Sequence, residues 1–237
     1  MRRFVVVLVA GAVAAVILGS CGTQAIGEME RESQSIDLEN AQSVRAELRM
    51  GAGELNVTGG ADALMEADFD YNVADWEPEV DYEVSGDTGE LKVDQGSSED
   101  IPLGGEARNE WDLRLNDDVP IDLSVQMGAG ESDLDLDSLT LTGLDLQMGA
   151  GATTVDLTGS YERDIAATIE GGVGEATVQL PSEIGVRVNA EGGLGQINAE
   201  GLQREGDSYV NDAYGDSDVT LDVDVRGGVG QINLEVV

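Results

Sequence analysis

The chain has 237 residues, with 48 Asp and Glu against 12 Lys and Arg, no His, and a formal net charge of −36. Such a polyanion repels nucleic acid, and the lack of His removes His-based catalysis and His-ligated metal. Apolar residues make up 41%, enough to build a core in one domain or two small ones.

Met1-Arg2-Arg3 is a short basic start, and residues 4–18 follow without a charge. That run is shorter than the ~20 residues a membrane-spanning helix needs. Small residues then close it at Leu18-Gly19-Ser20-Cys21, the layout of a secretory signal over residues 1–20. Cys21 is the only cysteine, so no disulfide forms within the chain. Leu-Gly-Ser-Cys resembles the lipobox of prokaryotic lipoproteins. The resemblance implies cleavage before Cys21, lipid on that residue, and an exported lipoprotein held at the membrane, on the cell surface or facing the periplasm. The alternative is an ordinary signal peptide with a chance cysteine. Residues 21–43 are polar and read as a flexible tether.

From residue 44 the chain repeats itself. Six segments share one pattern: Met50-Gly51-Ala52-Gly53, Met127-Gly128-Ala129-Gly130, Met148-Gly149-Ala150-Gly151, Gly171-Gly172-Val173-Gly174, Gly192-Gly193-Leu194-Gly195 and Gly227-Gly228-Val229-Gly230. Four successive copies recur every 21 to 23 residues, a spacing typical of solenoids. Both flanks alternate apolar with polar, as in Val44, Ala46, Leu48 before the first copy and Leu55, Val57 after it. Period two with one wet face means β-strand. The parity slips by one at each glycine pair, which requires a corner or bulge. The expected fold is all-β: a single-stranded β-solenoid of about six Gly-cornered repeats. Its corners are Gly51, Gly53, Gly128, Gly130, Gly149, Gly151, Gly172, Gly174, Gly193, Gly195, Gly228 and Gly230. Met before the first Gly always goes with Ala between the glycines, and Gly goes with Val or Leu. That exchange predicts two inward side chains sharing one slot.

The solenoid domain spans 44–237, with an inserted hairpin and cap over 59–118 and regular repeats over 119–237. Within the insertion, Ala63–Asn72 and Trp111–Leu115 read as strands, and Val80–Val84 with Glu90–Asp94 as a hairpin around Gly86. Trp76, Trp111, Tyr71 and Tyr82 gather there and are expected to pack the core or end cap rather than stack on sugars.

The segment Val44–Val57, the segment Trp76–Tyr82 and the repeated Met-Gly-Ala-Gly and Gly-Gly-Val-Gly strands resemble the toast-rack β-solenoid family. Its relatives include the C-terminal domain of cell-wall-active antibiotics response proteins and a group of putative adhesins. The resemblance implies a noncatalytic, envelope-associated domain, and no functional residues carry over.

Other motifs fail on chemistry. A calcium nonapeptide needs Asp two places after the last Gly, where Ala176, Ile197 and Ile232 stand. A phosphate loop needs Gly-Lys-Ser/Thr, and the sole Lys is Lys92. The runs Asp133, Asp135, Asp137 and Asp218, Asp222, Asp224 read as solvated faces rather than a cation site. No catalytic residue, metal or cofactor is therefore assigned. The expected role is a surface interaction or adhesion-like module for an envelope protein or glycan. The alternatives are a sensor in envelope stress and a polysaccharide-active enzyme, the latter requiring arginines converging on one cleft. Two further expectations concern the acidic repeats. Like charges stack in columns, so folding depends on salt. The last copy ends without a cap, so the C-terminal coil is a surface for self-association.

Overall fold

The computed structural model describes residues 26–96 and 107–237. Thirteen strands form one continuous sheet: β1 (Glu30–Ile36), β2 (Ser43–Thr58), β3 (Met65–Tyr71), β4 (Pro78–Ser85), β5 (Thr88–Gln95), β6 (Asn109–Leu115), β7 (Ile121–Asp135), β8 (Leu141–Asp156), β9 (Ile165–Leu180), β10 (Gly185–Glu200), β11 (Gln203–Glu205), β12 (Ser208–Val210) and β13 (Thr220–Val236). The six repeats are the six long strands β2, β7, β8, β9, β10 and β13. Each runs through its glycine corner without losing its pairing, and neighbours are parallel. The all-β solenoid with Gly-cornered repeats is the observed fold.

Each long strand has two legs. The inward residues of the first leg, such as Ile121, Leu123 and Val125, and of the second, such as Leu134 and Leu136, are buried in one core. The glycines mark the vertex between the legs. A Cβ on Gly172 would lie 2.2 Å from the carbonyl oxygen of Gly149 in the neighbouring coil. One on Gly174 would lie 1.7 Å from that of Gly151. Close backbone approach, repeated from coil to coil, is what excludes side chains there. Gly174 also holds φ at 144°, which L-residues rarely adopt.

Four expectations need correction. The first concerns stack order, which is β2-β7-β8-β9-β13-β10. The last copy is not at the end: β13 lies between β9 and β10, parallel to both. The C-terminal coil is therefore interior, and the terminal long strand is β10. Spacing along the chain could not reveal this, because all copies share one register-compatible pattern.

The second concerns the tether over 21–43, part of which belongs to the fold. Glu30–Ile36 pairs antiparallel with β3 at the sheet edge, and Arg31 makes a two-pronged contact with Asp70 at 2.7 Å. Ala41 is buried, and Ile36 and Leu38 pack on the core. Average polarity hid three apolar anchors whose spacing suits an edge strand and its exit.

The third concerns the shared slot at the corner. Met50, Met127 and Met148 are buried, but the residue between the glycines points outward: Val173 is 57% exposed, Val229 47% and Leu194 73%. In the coils of β7, β8, β10 and β13 the Met or Gly exchanges size instead with the residue five places on, whereas Met50 and Leu55 of β2 are both large and buried. Met127 is followed by Ser132 and Met148 by Thr153, whereas Gly227 and Gly192 sit by Ile232 and Ile197. A Cβ on Gly227 would lie 3.1 Å from Ile232 Cδ1. The corner bulge breaks simple two-residue parity, so a spacing of two crosses from inside to outside. In β9 both positions are small, Gly171 and Ala176, and an apolar cavity of about 40 Å³ opens beside them.

The fourth concerns the charge columns, which are mixed rather than uniform. One column reads Arg49, Gln126, Gln147, Glu170, Arg226, Glu191, and another Asn56, Asp133, Thr154, Thr177, Asn233, Asn198. Arg226 reaches Glu170 at 2.8 Å, and Asn198 donates to Asn233 at 2.8 Å. Like charges do adjoin in places, as at Glu54 and Glu131 or Glu235 and Glu200.

The insertion imitates a coil in two pieces. β5 pairs parallel with the first leg of β2 and β6 with its second leg. β4 adds to β5 as the expected hairpin, and β3 then β1 add beyond β6. Trp111, Trp76 and Tyr71 are buried, and Trp111 meets Phe69 edge-on at 5.3 Å. Tyr82 is part-buried, with its hydroxyl donating to the Leu38 carbonyl at 2.9 Å. These rings are core, and no sugar platform is built from them.

Candidate interaction surface

The glycine vertex divides the exposed surface of the stack. The twelve corner glycines form two files along it, and the outward residues Ala52, Ala129, Ala150, Val173, Val229 and Leu194 make a ridge between them. The ridge grows from Ala to Leu toward the β10 end. On the first-leg side lies a shallow groove floored by Gly51, Gly128, Gly149 and Gly172. Gln126, Gln147, Arg49 and Glu170 stand beside it. Successive rungs are ~4.8 Å apart, so these polar groups form a linear ladder.

At the capped end the vertex is closed by side chains that motif reading missed. The Gln95 side-chain oxygen accepts from the Gly51 N–H at 2.7 Å and the Ala52 N–H at 3.2 Å. Asn109 Nδ2 donates to the Ala52 carbonyl at 2.9 Å. Gln95 ends β5 and Asn109 begins β6, so the split coil supplies two amides where a glycine corner would be. A lone Gln and Asn flanking a loop gave no sequence signal for this.

The charged groups are organised as dispersed pairs. Arg187 contacts Asp222 at 2.6 Å, Arg114 contacts Glu66 at 2.5 Å, and Arg108 contacts Glu110 at 3.2 Å. Arg49 bridges Glu47 and Asp94. These arginines belong to separate ion pairs, which is not the arrangement a polysaccharide-cleaving cleft needs. Asp222 and Asp224 pair with Arg187 and Asn189, and Asp133 and Asp135 face solvent. Among the described residues, no group of three His, Cys, Asp or Glu is placed to hold a metal ion. Asp137, an exposed residue, has a raised carboxyl pKa, through partial desolvation first and then the charge of Asp135. Burial also raises the Tyr71 phenol to about 12 and the Tyr161 phenol still further. These are structural perturbations within the core and turns, away from the ladder. Cys21, the expected lipidation residue, lies outside the described residues.

Residues 25–179 match the sequence profile described as the N-terminal domain of toast_rack, DUF2154. The chain belongs to the toast-rack family. The crystal structure of a putative cell adhesion protein from Clostridium sporogenes is 36% identical, with a TM-score of 0.87 over 89% of this chain and 100% of that one. A putative adhesin from Bacteroides fragilis is 10% identical, with a TM-score of 0.27 over 90% of this chain and 100% of that one. A putative lipid binding protein from Parabacteroides distasonis is 12% identical, with a TM-score of 0.28 over 88% and 97%. The last two scores are too low to bear on fold or function. No curated protein matches the chain. Among the described residues, no helix is long and apolar enough to cross a membrane.

Proposed function

We propose that this toast-rack protein is a noncatalytic, envelope-anchored lipoprotein that acts as a surface interaction module of the adhesion type. The observation that carries this reading is the likeness over the whole of the putative cell adhesion protein from Clostridium sporogenes, at 36% identity. The chemistry of the stack supports it: rigid rungs present Gln, Asn, Arg and acids in straight columns, suited to holding an extended envelope polymer or protein by many weak contacts. The lipid on Cys21 provides the anchor. Gly27, near the first of the described residues, donates to the Asn72 carbonyl in the cap.

The test uses the full chain expressed in a bacterial host, beside its Cys21→Ser variant. Labelled fatty acid should enter the protein only with Cys21 present. Cells carrying the lipidated form should bind envelope-coated surfaces, and cells carrying the variant should not. Equal attachment by both, or by neither, would count against the proposal.

A further inference from the structure

Any open sheet ends in rows of unpaired backbone groups, and proteins usually protect them. At one end of this stack β2 is covered by β5 and β6. The outer edges beyond are guarded by charge or proline: Pro78, Glu79, Asp81 and Glu83 on β4, and Glu30, Arg31 and Glu32 on β1. At the other end β12 covers β10 only at Arg187 and Val188, and the small outer strand β11 carries Arg204 and Glu205. The second leg of β10, residues 196–200, has no strand on its outer side among the described residues.

Strand geometry fixes which groups are open there. An inward residue on either leg turns its N–H and C=O toward the β10 end of the stack. On a second leg, the Leu180 carbonyl accepts from Val237 N–H in the next coil at 3.0 Å. On a first leg, the Val186 carbonyl accepts from Asn211 N–H at 3.2 Å, and the Val186 N–H donates to Asn211 Oδ1 at 2.9 Å. Ile197 and Ala199 are the inward residues of the second leg of β10, matched in register to Ile232 and Leu234. Their backbone groups therefore face the open end. Their side chains are only part-buried, and Leu194 beside them is the most exposed large apolar residue described. Residues 196–199, Gln-Ile-Asn-Ala, carry no charge and no proline.

Among the described residues, none is placed to cover that edge. We propose that the second leg of β10 is a strand-addition site for an extended polypeptide, paired in parallel as a further coil would be. The occupant places apolar residues over Ile197 and Ala199. Over Glu200 it places Lys or Arg, because Glu200 already adjoins Glu235 and a third acid would be repelled. This site does not depend on what the lateral ladders bind.

The test uses two synthetic peptides with the full chain. One has the β13 sequence Gln-Ile-Asn-Leu-Glu-Val, and the other has Lys in place of its Glu. Amide hydrogen exchange at Ile197 and Ala199 reports occupancy. The Lys peptide should slow both amides and bind about threefold tighter than the Glu peptide, the size of an exposed ion-pair effect. Glu200→Lys should reverse that preference. Ile197→Pro removes a donor that has no neighbouring strand among the described residues, so binding should be lost while the melting temperature holds. If that variant does not fold, the Glu200→Lys reversal decides. No protection by millimolar Lys peptide, or a preference unchanged by Glu200→Lys, would overturn the proposal. So would protection of both amides in the protein alone that deepens with its concentration, since a second copy would then fill the edge.

Discussion

The side-chain oxygen of Gln95 lies 2.7 Å from the backbone nitrogen of Gly51 and takes the place of a carbonyl from a neighbouring coil. Everywhere else along the vertex, the backbone of one glycine corner lies directly against the next. Gln95→Ala leaves the Gly51 and Ala52 donors to water at a partly open site. The expected loss is about 1 kcal/mol of stability. Asn109→Ala removes the more enclosed partner of the Ala52 carbonyl and should cost about 1–3 kcal/mol. Chemical denaturation of the two variants checks the order; a larger loss for Gln95→Ala would contradict it.

Two adjacent glycines should respond in opposite ways. A Cβ on Gly171 would find its nearest atom, the Arg226 carbonyl oxygen, 4.0 Å away, beside the cavity of about 40 Å³. Gly171→Met restores the pattern of the preceding coil and should add about 1 kcal/mol by filling that space. Gly172→Ala meets the Gly149 carbonyl oxygen at 2.2 Å and should cost more than about 3 kcal/mol. Thermal melts of the pair decide it. Equal destabilisation by both would mean the cavity is not available to a side chain.

Alkaline conditions should unfold the protein through its buried phenols. The Tyr71 phenol is raised to about 12, chiefly by burial. Its folded value exceeds that of an unfolded tyrosine, ~10. The native state therefore holds the proton more tightly between those values, and stability falls as pH rises from ~10 through about 12. Tyr161 acts in the same direction, and its hydroxyl also donates to the Leu157 carbonyl at 3.0 Å. Tyr161→Phe should lose about 1 kcal/mol at neutral pH but show a shallower alkaline decline. An unchanged alkaline slope would contradict this.

Asp137 should show the opposite arm of pH dependence. Partial desolvation and the neighbouring Asp135 raise its folded pKa although the side chain is exposed, so the effect is small. A carboxyl with a raised folded value destabilises the fold when ionised, so its penalty is present at neutral pH and is relieved as pH falls through the raised value. Asp137→Asn should therefore raise the neutral-pH melting temperature, with the advantage vanishing in acid. A variant melting below the parent at pH 7 would remove the reading.

Salt dependence follows from the −36 charge, although the columns soften it. Arg226 between Glu170 and Glu191 and the Asn198–Asn233 contact break up runs of acid. Residual adjacencies such as Glu54 and Glu131 remain. Melting temperature should rise between 0.1 and 3 M NaCl, most steeply below about 1 M, where screening changes fastest. A flat profile would mean that paired charges already balance the surface.

Much of this architecture was legible because it is periodic. Val44, Ala46 and Leu48 against Leu55 and Val57 announced two legs and a corner, and both are buried as that alternation requires. What stayed hidden depends on tertiary choice. Copies alike enough to pair with one another do not declare which pairs with which, so the place of β13 was invisible. The outward direction of Val173 is not legible because a bulge re-aims side chains by geometry that a two-residue count cannot follow. The edge at Ile197 and Ala199 was hidden for the same reason as the place of β13: until stack order is known, no strand is last.

The insertion of β13 between β9 and β10 also limits how this array can lengthen. The unit at β8 could be duplicated freely, since its neighbours on both sides are consecutive along the chain. Beyond β9 the order is interlocked. A unit appended after Val237 would have no adjacent vacancy, and a chain halted before Thr220 would leave β10 with no parallel neighbour. Growth of the family's stacks is thus expected upstream, among the Met-Gly-Ala-Gly coils. β13 holds β9 and β10 together, as a keystone holds the blocks on either side.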